Sequence, residues 1–165
     1  MRRSGLPSYA IAILAGLCGA ILIDLYLVIT EPYVARGVTP QLVMQWDASN
    51  ALGAAAYRGG WATAILGTLM HFTVSIVWGA IFVSLAQRIA WITERPLLSG
   101  ALLGVVAMAV MRAIIHLGYA VVRPFPNVWY FLYILVAHVV FFGIPVALAA
   151  AFLLRRAITP RRASS

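Results

Sequence analysis

Residues 98–120 read LSGALLGVVAMAVMRAIIHLGYA. The run meets the roughly 20 apolar residues that a bilayer core of about 30 Å demands of a helix. Arg112 nevertheless stands in its middle, with Ala109, Val110 and Met111 before it and Ala113, Ile114 and Ile115 after it. A guanidinium in such a run is costly, and intramembrane charges normally face a bundle interior and pair. The stretch therefore decides the fold class and sets the first question about function.

The rest of the chain agrees with a membrane setting. Of 165 residues, 64% are hydrophobic and 10% charged, against about 45–50% and about 25% in ordinary soluble domains. Four runs are long enough to span: Tyr9–Thr30, Trp61–Ala86, Leu98–Ala120 and Val128–Leu154. The first follows Arg2 and Arg3 and is too long, and too interrupted by Asp24, for a secretory leader. LAGLC, ending at Cys18, lacks the small residue a lipoprotein box wants before its cysteine, so the helix reads as an uncleaved anchor. The single cysteine excludes an internal disulfide.

The net charge of +8 comes entirely from arginine, since the chain has no lysine. The arginines sit at segment ends, which points to topology and away from nucleic acid. With the N-terminus inside, the inner segments hold Arg2, Arg3, Arg88, Arg95, Arg155, Arg156, Arg161 and Arg162. The outer ones hold Arg36, Arg58 and Arg123. The positive-inside rule then places both termini in the cytoplasm. Trp61, Trp129, Tyr130 and Tyr133 mark the outer interface and Trp91 the inner one. The basic tail, residues 155–165, is expected to lie on anionic headgroups.

The first outer loop, Glu31 to Gly60, carries the marks of a helix over Pro40–Leu52. Thr39 caps it, Pro40 opens it and Gly53 ends it. Its apolar residues form no single stripe, so a short interfacial helix is expected, with a re-entrant hairpin broken at Gly59–Gly60 as the alternative. The other outer loop is stiffened by Pro124 and Pro126, and Asn127 caps the fourth span. Short loops favour antiparallel neighbours. The expected fold is an all-α integral membrane protein, one antiparallel four-transmembrane-helix bundle with a short interfacial helix.

DASNALGAAAYRGGWATAILGTLMHF, residues 47–72, and RPLLSGALLGVVAMAVM, residues 95–111, carry a resemblance. They are similar to a group of small uncharacterised bacterial four-span inner-membrane proteins, with an Ala/Gly-rich helix, a Gly-Gly break, His-Phe in the second span and a small-residue third span. The resemblance covers about a third of the chain and implies a bacterial inner-membrane location, with no activity attached. In those proteins asparagine follows the methionine matching Met111, so Arg112 departs from the pattern.

Two faces repeat every fourth residue. Thr63, Gly67, His71, Ser75 and Gly79 share one on the second span, and Gly100, Gly104, Met108, Arg112 and His116 share one on the third. Gly100 and Gly104, and more weakly Ala15 and Gly19, suit close backbone approach. At 1.5 Å per residue, Asp24 lies about 9 Å from the outer end of its span, Arg112 about 12 Å, His116 about 6 Å, and His71 and His138 about 15 Å. Asp24 and Arg112 are thus expected to form an ion pair between the first and third spans.

Three functions compete. The first is a non-enzymatic accessory or assembly subunit, which needs only spans and packing faces. The second is a small proton- or ion-linked transporter or channel, a homodimer because four spans are few. It would use an intramembrane cluster of Asp24, His71, Arg112, His116 and His138. The third is a b-type haem or quinone subunit with His71 and His138 as axial ligands. No G-x-S-x-G, H-E-x-x-H, C-x-x-C or P-loop is present, so no enzyme is expected. Nor is a cofactor or metal, and the expected partners are lipid, a second copy or a larger membrane complex.

Overall fold

The computed structural model describes residues 6–117 and 127–158. Arg2, Arg3, Arg123, Pro124, Pro126, residues 118–120 of the third run and the tail beyond Ile158 lie outside the described residues. The described residues are helical and form no strand. The elements are α1 (Ser8–Val34), α2 (Pro40–Leu52), a 3₁₀ turn (Gly53–Arg58), α3 (Gly60–Ala86), α4 (Ala90–Glu94), α5 (Pro96–Leu117), α6 (Val128–Val136), a π-helical segment (Ala137–Gly143) and α7 (Ile144–Ile158). The last three are continuous. Four helices are long and apolar enough to cross a membrane: Ser8–Val34, Gly60–Ala86, Pro96–Ile115 and Val128–Ala157.

Local chemistry sets the ends. Thr39 Oγ1 accepts from Leu42 N at 3.2 Å and Asn127 Oδ1 from Tyr130 N at 2.9 Å, each satisfying a first-turn donor. Gly53 and Gly60 take φ of 54° and 59° at the two bends around the 3₁₀ turn. Two ends differ from expectation by four residues: the fourth span runs past Leu154 to Ile158, and the end of the first is the more consequential. α1 does not stop at Thr30 but runs through Glu31 and Pro32 to Val34.

Small residues decide which helices touch. A Cβ on Gly16 would lie 2.6 Å from Ser75 O and Ile76 Cα, and one on Gly79 would lie 2.4 Å from Ala12 O. Residue numbers therefore rise along α1 as they fall along α3. Gly19 meets Phe142 and Val146 of the fourth span, on the other side of α1. Gly100 and Gly104 meet Gly143, Ile144 and His138. Extensive packing thus joins α3 to α1, α1 to the fourth span, and the fourth span to α5. The two short-loop neighbours, α3 and α5, are not packed side by side, because the close-approach faces match in another order. The core follows this seam, with Ile11, Ala15, Ile23, Phe82, Leu103, Ala137, Phe142 and Val146 all buried. Large apolar side chains such as Leu25, Leu69, Leu102 and Phe152 point outward.

α2 uses the upper half of the α3 small-residue face. A Cβ on Gly67 would sit 1.9 Å from Met44 O. Gln45 Nε2 donates to Gly60 O at 2.9 Å and to Thr63 Oγ1 at 3.0 Å. Val43, Gln45, Ala48 and Ser49 are buried.

Candidate functional site

The repeat Thr63, Gly67, His71, Ser75, Gly79 is one stripe with two partners. Its first half receives α2 and its second half receives α1. His71 stands where they meet, so it faces an acid from each. Its Nε2 lies 3.3 Å from Asp24 Oδ1 and its Nδ1 lies 3.6 Å from Asp47 Oδ2. The side chains of Asp24 and Asp47 keep 26% and 35% of their exposure, so the group is sheltered without being sealed. His71 Nε2 itself is buried and makes no aligned hydrogen bond. Such a ring can carry a proton between two carboxylates, since either nitrogen has an acid within reach.

The expected Asp24–Arg112 pair is corrected by this geometry. Among the described residues, Asp24 and Asp47 each lie within 4.0 Å of a ring nitrogen of His71. The reason is helix order. α1 packs between α3 and the fourth span, while α5, which carries Arg112, packs beyond the fourth span. Depth alone matched Asp24 to Arg112, and depth does not specify a neighbour. Arg112 is half-buried on α5, and the side chain of His116 is outside the described ones.

His138 lies in the π-helical segment, and its Nδ1 is 2.8 Å from Ile134 O. The π segment that carries it packs on α1 and α5. Asp24 and His71 are thus brought together, and Asp47 joins them. Sequence reasoning missed Asp47 because it placed α2 at the interface, where an aspartate is unremarkable. The available signal was that Asp47 falls one helical turn after the apolar Val43 and so shares its face.

Glu31 was also missed. It is fully buried, and Tyr130 OH donates to its Oε1. Thr30 Oγ1 and Tyr133 OH are 2.6 Å apart beside it, and Tyr26 stacks on Phe141 at 4.1 Å. The sequence reading ended the first span at Thr30 and so put Glu31 in the loop, whereas α1 runs on to Val34. Among the described residues no three His, Cys, Asp or Glu side chains gather closely enough to hold a metal ion.

Asp47 lies outside the long helices, and burial pushes its carboxyl from 3.8 up to about 7. Undocked, it would return to its ordinary value. Between those two values the docked state holds more protons, so docking of α2 on α3 weakens as pH rises from about 4 to about 7. Protection of the Ala48 and Ser49 amides, taken as the intrinsic exchange rate at each pH divided by the observed one, should fall across that window. Asp47→Asn should abolish the fall, and protection that stays constant with pH in the native protein would contradict it.

No family model matches the chain, and no curated protein and no solved structure matches it.

Proposed function

We propose that this chain is a non-enzymatic integral membrane protein of the bacterial inner membrane, with both termini cytoplasmic, and that it is proton- or ion-linked through Asp24, His71 and Asp47. The four spans would form an antiparallel bundle. α2 would lean from the outer interface into the outer half, because its contacts on α3 run from Gly60 to His71, about 16 Å at 1.5 Å per residue.

One observation carries the reading: an imidazole stands between carboxylates supplied by two different elements. Ionisable groups inside spans are expensive and commonly mark proton or ion pathways. A bundle held only by packing has no need of a third titratable residue at that point. The accessory-subunit reading draws on the glycine faces alone, which serve any helical bundle.

The test is reconstitution in liposomes containing a pH-sensitive dye, with a potential imposed across the membrane. Native protein should acidify or alkalinise the lumen faster than empty vesicles. His71→Ala should return the rate to that of empty vesicles. A native protein that gives no flux, and that purifies in stoichiometric association with a larger complex, would overturn the reading in favour of an accessory subunit.

A further inference from the structure

Leu148, Ala151, Phe152, Arg155 and Arg156 of α7 follow the i, i+3, i+4, i+7, i+8 spacing of a single helix face. From Leu148 to Arg156, about 12 Å at 1.5 Å per residue, that face turns from apolar to twice cationic. Ala151 is short and buried, and between the half-exposed Leu148 and Phe152 it leaves a notch. Pro96 of α5 walls one side. The result is an open groove of about 270 Å³ lined by these residues. Pro96 begins one membrane-length apolar helix, and Arg155 and Arg156 stand near the end of another, Val128–Ala157. The groove therefore runs from the hydrocarbon edge into the layer of lipid phosphates, whichever side of the membrane this end faces.

Both guanidinium groups are held in place. Arg155 donates through Nη2 to Thr93 O at 2.6 Å. Arg156 lies over the Phe152 ring, its Cζ 4.2 Å from the centroid. A guanidinium has five donors in a rigid plane, and neither contact occupies all of them. Such forks match phosphate oxygens in pairs, and charge-assisted bonds of this kind are about twice as strong as neutral ones. Much of the ordering cost of two long side chains is thus met before any ligand arrives.

Charge and shape together select the occupant. A small soluble anion would use the arginines and leave the apolar part of the groove unused. A volume of about 270 Å³ is slightly below the roughly 300 Å³ at which ligand clefts begin, so the groove takes part of a lipid and leaves the rest in the bilayer. A headgroup without an ammonium suits it, because a second cation would stand beside two guanidiniums.

We propose that this groove binds one anionic phospholipid. Its phosphate is held by Arg155 and Arg156, and the upper part of one acyl chain lies over Ala151 between Leu148 and Phe152. The site does not depend on the proton-linked reading.

Native mass spectrometry of the full chain in detergent, titrated with phosphatidylglycerol, tests it. One lipid should be retained per chain, and phosphatidylcholine should be retained more weakly. Arg156 is exposed, and Arg156→Gln should weaken phosphatidylglycerol retention roughly tenfold, as loss of a charge-assisted bond does. Removing residues 159–165 takes away Arg161 and Arg162 but none of the groove, and should matter less. Glycerol phosphate, which carries the phosphate without chains, should not displace the lipid from the native protein. Equal retention of the two lipids, or a loss on tail removal as large as that of Arg156→Gln, means surface attraction and overturns the proposal. Displacement by glycerol phosphate overturns it in favour of a small-anion site. A lipid-free dimer that comes apart with Phe152→Ala gives the face to a second copy and overturns it as well.

Discussion

Gly143→Ala is expected to be among the most damaging single changes available in this chain. The added methyl would meet Gly100 O at 2.1 Å and the Gly104 backbone at 2.5 Å. These are main-chain atoms of a neighbouring helix, which cannot rotate away as a side-chain tip can. Overpacking costs about 1–3 kcal/mol and occasionally more, and a backbone clash belongs at the upper end. Folded yield and the midpoint of denaturant unfolding should both drop. Leu102→Ala, on the outward side of α5, should leave the midpoint nearly unchanged. An unaltered midpoint in Gly143→Ala would mean that α5 does not seat on the π segment.

The second large effect is a coupling. Asp24→Asn and His71→Ala remove two ends of one contact, so their combined cost should differ from the sum of the single costs by about 0.5–3 kcal/mol. Asp24→Asn combined with Arg112→Gln should instead add to within about 0.5 kcal/mol, as independent sites do. Unfolding midpoints of the three single and two double variants decide it. Coupling of Asp24 to Arg112 without coupling to His71 would reverse the assignment of the partner.

These two experiments separate what the sequence made legible from what it hid. The spans were legible because the bilayer imposes a length and a composition that few other constraints can mimic. The helix over Pro40–Leu52 was legible because Thr39, Pro40 and Gly53 act locally. Helix neighbours were not. Every span is apolar all round, and small residues occur on several faces, so Gly16, Gly19, Gly67, Gly79, Gly100 and Gly104 could pair in many orders. Only the interdigitated backbone contacts select one. Arg112 was matched to Asp24 on depth and charge, two quantities that carry no information about which helix lies between. The prolines were the underused signals. Pro32 does not end α1, which brings Glu31 into the buried set, and Pro145 foretells a change of winding just upstream of it. A proline inside an apolar run asks where the freed carbonyl goes, and here that question leads to His138.

The helix order also bears on how the chain is made. Synthesis delivers α1, α2 and α3 first, and these three already pack on one another with Asp24, Asp47 and His71 together. α5 emerges next, but its packing surface is the fourth span, still to come. It must wait in the bilayer with Gly100 and Gly104 uncovered until Gly143 arrives. The polar centre can therefore assemble during translation, while closure of the glycine seam is left to the last helix.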